Sequence, residues 1–301
     1  MGVLDGHGTK GEIVSEYGVH EIYKRLSKLL QKRLVPEPEE EEENETNATT
    51  RTVEDTNEFI RDSLSQVFLA INATLPINGQ GGCTASIAFR YANHIHFANV
   101  GDSRVFLVAY HPPTQSLKIV YETMEHKSHL QSEKERILSM GGNVHEPTQD
   151  EMDRGESSRL VTPYYSIAMS RSLGDWECSP YGKISLPDVD SVSLDWAVEE
   201  SERDFCGKVH EKCPDRESIR VFAVAATDGL MDFVNPTDLS ATVARSLYPA
   251  KETEEERRST SCQIHCTTAC EQLIIEATEG WYKSMGYNYR DDITVAAMKI
   301  L

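Results

Sequence analysis

Apart from Lys and Arg gathered towards the end of the first helical stretch, the chain is poor in basic residues, and it has no long apolar run and no Cys-x-x-Cys pair. Each absence excludes something. Lys and Arg number 30 against 49 Asp and Glu, a formal net charge of −19. That balance rules against sequence-independent nucleic-acid binding, which needs basic patches to displace counterions. It also disfavours adhesion to an anionic membrane surface. No segment approaches the roughly 20 consecutive apolar residues of a membrane-spanning helix, so no membrane insertion is expected. Seven cysteines, an odd number without paired spacing, suit a reducing compartment, and a cytoplasmic or nuclear location is expected. No secretory signal is visible, although the sequence opens inside what reads as a strand–turn motif. Cys262, Cys266 and Cys270 fall at i, i+4 and i+8 beside His265, a spacing open to zinc but read here as small buried hydrophobes. Three Asn-x-Thr sequons (Asn44, Asn47, Asn72) are read as chance matches.

What is present is ordinary for a globular domain: 39% hydrophobic and 26% charged residues over a length that suits one large domain or two small ones. One domain over 1–301 is expected. Residues 10–33 keep helical spacing through Val14, Tyr17, Ile22, Leu26, Leu29 and Leu30, and Pro36 and Pro38 stop the helix. Glu39–Glu43 and the Asn/Thr-rich sequence after it (about 36–52) read as a solvated acidic insertion, with a docking site for a basic partner as the sharper alternative. A second helix is expected over 53–75. The period then changes, and 84–91, 94–100, 104–110 and 116–123 read as consecutive strands with short links, hence antiparallel. A short helix is expected at 131–140, irregular chain over 145–165, a strand at about 191–194 and a charged loop over 198–217. Ile219–Thr227 is the most apolar run and reads as a central strand. Helices from Pro236 to about Tyr248 and over 259–284 follow, and the chain closes on a strand after Asp291.

Acids mark the ends of the apolar strands. Asp5 follows Val3-Leu4, Asp102 follows Val100-Gly101, Asp228 follows Thr227, and Asp291 leads into Ile293–Val295. Hard divalent cations such as magnesium and manganese take carboxylate and carbonyl oxygens. Several acids at one end of a rigid sheet are what a site for two such ions needs. Asp232, four residues beyond Asp228, shares its face if that turn is helical. Asp-Gly at a strand end is also common turn chemistry, and spacing alone leaves both readings open.

Val3-Leu-Asp-Gly-His-Gly8, Gly82-Cys-Thr-Ala85, Ala98-Asn-Val-Gly-Asp-Ser-Arg104, Glu125-His-Lys127 with Glu133-Lys-Glu-Arg-Ile137, Ala168-Met-Ser-Arg-Ser-Leu-Gly-Asp175, Thr227-Asp-Gly-Leu-Met-Asp232 and Asp291-Asp-Ile-Thr-Val295 occur in that order. This series resembles the metal-dependent serine/threonine protein phosphatases of the protein phosphatase 2C family. The resemblance implies an α+β fold, a four-layer α-β-β-α sandwich of two antiparallel sheets flanked by helices. It implies hydrolysis of phosphoserine and phosphothreonine on phosphorylated protein substrates by a water or hydroxide bridging two Mg2+ or Mn2+ ions. Carried over by position, Asp5 bridges the ions, the Gly6 carbonyl binds one of them, and Asp228 and Asp291 complete the pair. Asp102 and Asp232 match residues that hold a weaker third ion with Asp228. His7 matches the proposed general acid, and a histidine suits protonation of a leaving alkoxide near neutral pH. Ser170 and Arg171 are expected to be structural. A monomer is expected.

Two departures stand out. The family carries further strands before the Asp-Gly-His element, with an arginine for substrate phosphate and a glutamate for one metal. The expectation is therefore a domain lacking those N-terminal edge strands, a truncated gene model or a fragment, with the phosphate-binding residue unassigned. Its alternative is an inactive pseudophosphatase that binds a phosphoprotein or kinase without turnover. The family's usual Asp-His-Lys-Pro appears here as Glu125-His-Lys-Ser128.

Overall fold

In chain order the strands and helices are β1 (Gly2–Val3), β2 (Gly6–His7), α1 (Gly11–Leu34), α2 (Val53–Ala73), β3 (Gly82–Cys83), β4 (Ala85–Tyr91), β5 (His94–Val100), β6 (Arg104–His111) and β7 (Ser116–Glu122). Next come α3 (Gln131–Ser139), β8 (Asn143–His145), α4 (Gln149–Met152), β9 (Arg159–Val161), β10 (Ser166–Ile167) and β11 (Leu173–Gly174). The last part carries β12 (Asp188–Ser193), α5 (Leu194–Lys208), β13 (Arg220–Ala226), α6 (Asp228–Met231), α7 (Pro236–Leu247), α8 (Ser261–Met285) and β14 (Val295–Lys299). This computed structural model describes residues 1–34, 52–152, 155–208, 213–249, 261–286 and 289–301. The acidic run Glu39–Glu43 lies outside the described residues.

Two four-stranded antiparallel sheets carry the fold, one in the order β1-β4-β5-β12 and the other β14-β13-β6-β7. Alternation along each strand sends successive side chains to opposite faces. On β6, Val105, Leu107 and Ala109 join the core between the sheets, while Phe106, Val108 and Tyr110 face the helices. β13 does the same with Val221, Ala223 and Ala225 against Phe222, Val224 and Ala226. Both faces are covered, which is why these strands read as unbroken apolar runs. α1 and α2 lie on the outer face of the first sheet through Val14, Leu64 and Phe68. α7 and α8 cover the second through Leu239, Val243 and Leu273. The result is the four-layer α-β-β-α sandwich. Each fully buried Leu or Phe in these layers stabilises it by roughly 1.5–3 kcal/mol.

Local signals place the outer helices. Thr52 and Asp55 form a reciprocal capping box at the start of α2. The Asn235 side chain accepts from Thr237 and Asp238 at the start of α7, whose Pro236 stands where no N–H is needed.

Four expectations need correction. Residues 198–208 are not loop but the body of α5, whose Leu194, Ala197, Val198, Ser201 and Phe205 are buried at helical spacing. The density of Glu, Asp and Arg on its other face hid that stripe. Residues 145–165 are not irregular throughout, because β8, β9 and β10 form a small antiparallel sheet. Strands of two or three residues are too short to show a period. The strand expected at 191–194 begins at Asp188 and yields to α5 at Leu194. Among the cysteines, Cys206 of α5 and Cys213 are joined, with their Cα atoms 4.6 Å apart. The side chains of Cys262 and His265 lie outside the described residues, whereas Cys266 packs against the α7–α8 layer.

Candidate active site

The strand ends meet around a cavity of about 610 Å³ lined by Asp5, Gly6, His7, Asp102, Asp228 and Asp291, among others. Asp5 lies in the two-residue link where the chain leaves the first sheet at β1 and enters β2. Its N–H donates to Thr84 Oγ1 at 3.1 Å, and its carbonyl accepts from the Thr84 N–H at 2.9 Å. Thr84 Oγ1 in turn meets Ser103 Oγ at 2.6 Å, so the β5–β6 turn that carries Asp102 is docked on the same threonine. Gly101 makes that turn with φ +98, and a Cβ there would press into Thr84 at 2.6 Å. From the second sheet, Asp228 follows β13 and Asp291 precedes β14. They come together because Gly229 has no side chain: a Cβ would sit 2.4 Å from the Asp292 carbonyl and 3.1 Å from the Asp291 Cβ.

Burial, and then the charge of Asp291, pushes the Asp5 carboxyl well up from the usual carboxylate range. Asp228 rises further, through burial and then the neighbouring Asp102 and Asp5. Asp232 follows Asp228 by one helical turn, its N–H donating to the Asp228 carbonyl at 2.8 Å, and burial lifts its carboxyl to about 6. It does not line the cavity. Acids brought together at this electrostatic cost are what a bound divalent cation would relieve, and the donors are all hard oxygens. The set therefore fits magnesium or manganese. No three of these acids place oxygens within 4.8 Å of one another. Among the described residues only His145, Glu151 and Glu156 do so, and they do not line the cavity. The wider spacing suits ions that keep several of their own waters.

Further polar groups surround these acids. Lys127 Nζ lies 2.6 Å from Asp102 Oδ2, and although burial pulls the Lys127 pKa down, the Asp102 charge outweighs it and raises it. His7 Nε2 lies 2.7 Å from Asp175 Oδ2. Burial opposes a charge on His7, but the Asp175 carboxylate outweighs it and raises the imidazole pKa. Asp175 also accepts from Ser172 Oγ at 2.5 Å, and its backbone takes φ +46. Lys183 lies buried beneath this turn, donating to the Gly174 carbonyl and to Ser185 Oγ at 3.2 Å, and its burial lowers the ammonium pKa to about 8. Arg159, from the small sheet, also lines the cavity.

Sequence reasoning brought Asp5, Gly6, His7, Asp102, Asp228 and Asp291 to one place and missed the roles of Lys127, Asp175 and Arg159. The first two stood in quoted motifs without an assigned role. Arg159 stood in a stretch with no periodic signal. Arg171, expected to be structural, is held by Glu133 Oε1 and Asp188 Oδ1 at 2.7 Å each and does not line the cavity.

The family model for protein phosphatase 2C matches residues 8–274. "Probable protein phosphatase 2C 65" of Arabidopsis thaliana is 26% identical over 303 aligned residues, covering 99% of this chain and 67% of the relative. "Probable protein phosphatase 2C 48" of Oryza sativa subsp. japonica is 27% identical, covering 85% and 66%. In fold, the chain is similar to the serine-threonine phosphatase 2C from Toxoplasma gondii, with TM-score 0.63, 17% identity, and 99% of this chain and 83% of that one covered. It is also similar to a C. elegans sex determining protein, with TM-score 0.57, 19% identity, and 99% and 55% covered. With the ordered strand-end acids in one cavity and a family match across most of its length, the chain belongs to the protein phosphatase 2C family.

Proposed function

We propose that this protein is a magnesium- or manganese-dependent serine/threonine phosphatase acting on phosphorylated proteins. One observation carries the reading: acids from four distant parts of the sequence, with His7, converge on one cavity. Asp5, the Gly6 carbonyl, Asp228 and Asp291 would hold two ions, and Asp102 and Asp232 would serve a weaker third beside Asp228. When bound, such ions supply Lewis acidity and lower the pKa of a water for in-line attack on phosphorus.

The chain's own groups do the rest. His7 donates a proton to the leaving seryl or threonyl oxygen. Asp175 fixes the imidazole through Nε2, which leaves Nδ1 for that transfer. Lys127 neutralises Asp102 and thereby limits the negative charge that an incoming phosphate meets. Thr84 and Ser103 hold Asp5 and the Asp102 turn in register, which keeps the carboxylates in place before substrate arrives.

No observation favours the alternative of an inactive binding module, since a site without turnover has no chemical need of His7 and four converging acids. Phosphate release from a phosphothreonine peptide with Mn2+ tests the reading, wild type against Asp228→Asn. Turnover in the wild type and its loss in the variant are expected. Equal turnover in the two would sink the mechanism.

A further inference from the structure

Lys183 is only 2% exposed, and the mechanism above makes no use of it. Among the described residues no carboxylate meets its ammonium. The Nζ donates instead to three neutral oxygens: the Gly174 carbonyl, Ser185 Oγ at 3.2 Å and the Ser172 carbonyl at 3.5 Å. Taking an ammonium out of water without a contacting counter-charge is costly, and an apolar side chain would fill the same space without that cost. The three oxygens show what the charge does there.

Gly174 and Asp175 both take positive φ, +83 and +46. The peptide unit between them is held at both ends. Its carbonyl, from Gly174, accepts from Lys183, and its N–H, from Asp175, donates to the Gly81 carbonyl at 3.0 Å. The orientation of that unit sets φ at Asp175, and with it the direction in which the Asp175 side chain leaves the backbone. A non-glycine residue keeps such a conformation only where its surroundings over-determine it. The carboxylate so aimed accepts from Ser172 Oγ at 2.5 Å and meets His7 Nε2 at 2.7 Å. Lys183 is itself fixed from below. Its N–H donates to the Cys178 carbonyl at 3.2 Å, and the carbonyl of the next residue, Ile184, accepts from the Ser172 N–H at 3.1 Å. Burial opposes a charge on Asp175, but His7, Ser172 and the positive charge of Lys183 outweigh it and keep the carboxyl below its ordinary value.

We propose that Lys183 is a positioning residue for the proton transfer: its ammonium clamps the Gly174–Asp175 peptide from beneath and so holds the Asp175 carboxylate on His7 while the leaving oxygen is protonated. Lys183 does not line the cavity, so it acts only through Asp175. The proposal rests on the phosphatase reading above and deepens it. A lysine that merely packs the loop makes a different prediction, because a loosened loop harms every substrate alike.

The test measures kcat and KM of the whole chain in Mn2+ on two substrates. A phosphothreonine peptide needs its leaving oxygen protonated, whereas p-nitrophenyl phosphate releases a phenolate unaided. Lys183→Met keeps the length of the stem and removes the charge and the donors. It is expected to lower kcat on the peptide by about tenfold, a part of what general acid catalysis contributes, with KM little changed. On p-nitrophenyl phosphate the loss should be much smaller. Lys183→Gln keeps a neutral donor on a shorter stem. It should show the same selectivity to a lesser degree, and it carries the comparison should Lys183→Met fail to fold. Each substitution is then combined with Asp175→Asn. If Lys183 acts through Asp175, its loss should cost the peptide reaction little more once that carboxylate is gone. A loss selective for the peptide and absent from the Asp175→Asn background supports the proposal. An unchanged kcat in both variants, an equal loss on the two substrates, or the full loss repeated in the Asp175→Asn background overturns it and leaves Lys183 a packing residue. Absence of phosphate release by the wild type from either substrate would instead overturn the phosphatase reading, and the proposal with it.

Discussion

His7 rests on a carboxylate whose own backbone is held in the left-handed region, φ +46, a conformation that costs an L-residue on the order of 1–3 kcal/mol. That conformation persists because the Asp175 N–H donates to the Gly81 carbonyl at 3.0 Å and the side chain is fixed by Ser172 and His7. Gly82 makes room, since a Cβ there would meet the Asp175 carboxylate. If Asp175 serves to hold the general acid, its loss should matter in proportion to how much the leaving group needs a proton. Asp175→Asn is therefore expected to lower kcat on a phosphothreonine peptide by about 10²-fold, at the low end of what general acid catalysis contributes. p-Nitrophenyl phosphate, whose phenolate departs unaided, should lose much less. Parallel losses on the two substrates would mean that Asp175 supports the loop and not the proton transfer. At this scale the sequence was legible where chemistry and turn coincide: an acid beside a glycine at the end of an apolar run named Asp5, Asp102 and Asp228, and an acid leading into such a run named Asp291. It was silent on Asp175, because the pairing that gives that residue its role spans 168 positions.

Among the elements, α3 is fastened to the segment behind the site by one acid. Glu133, with a side chain 2% exposed, meets Arg136 at 2.6 Å, Arg171 at 2.7 Å and Ser170 Oγ at 2.5 Å. Arg171 passes the connection on to Asp188 at the start of β12. Burial alone would raise the Glu133 pKa, but the bonds from Arg136, Arg171 and Ser170 outweigh it and hold the carboxyl far below its usual range. A folded value below the unfolded one means stabilisation present above about pH 4.3, the ordinary glutamate value, and lost as pH falls towards the folded value. Glu133→Gln leaves two half-buried guanidiniums short of their buried partner and is expected to cost about 3 kcal/mol in a denaturant titration at neutral pH. The difference between variant and wild type should shrink as the medium is acidified below that value. A difference that stays constant into acid would show that packing, not the charge, matters. The elements read best in the sequence were the long ones. α1, α2 and the β4–β7 meander carry enough residues for a period to emerge. α5 was hidden by its charged outer face, and β8–β10 by their brevity. Those short strands bring Arg159 to the cavity, so the part of the site that the sequence concealed follows from the part of the fold that it concealed.

At the scale of the molecule, the acids belong to two different sheets. Asp5 hangs from the sheet of β1, β4, β5 and β12, Asp228 and Asp291 flank β13 and β14 of the other, and the Asp102 turn crosses from β5 of the first to β6 of the second. Without cations, repulsion across the cavity works against the packing of Val105, Leu107, Val221 and Ala223 that joins the two sheets. The raised pKa values of Asp5 and Asp228 carry the sign: the folded state holds protons that the unfolded state has already released. Stability of the cation-free protein should therefore fall as pH rises from about 4 through the raised folded values. Asp228→Asn removes one repelling charge at the centre, so the cation-free variant is expected to melt higher than the wild type at about pH 8 and to lose less between about pH 5 and about pH 8. Mn2+ should reverse the order. A ligand that binds only the folded state adds about 2.7 kcal/mol at a hundred times its Kd, and the wild type should gain this rise in Tm while the variant gains little. Thermal melts of both proteins over that pH range, with and without Mn2+, check both halves of the expectation. A variant that melts no higher without cations would show that the carboxylates do not oppose the closing of the two sheets. An equal Mn2+ response in the two would remove Asp228 from the cation site, whatever its effect on turnover.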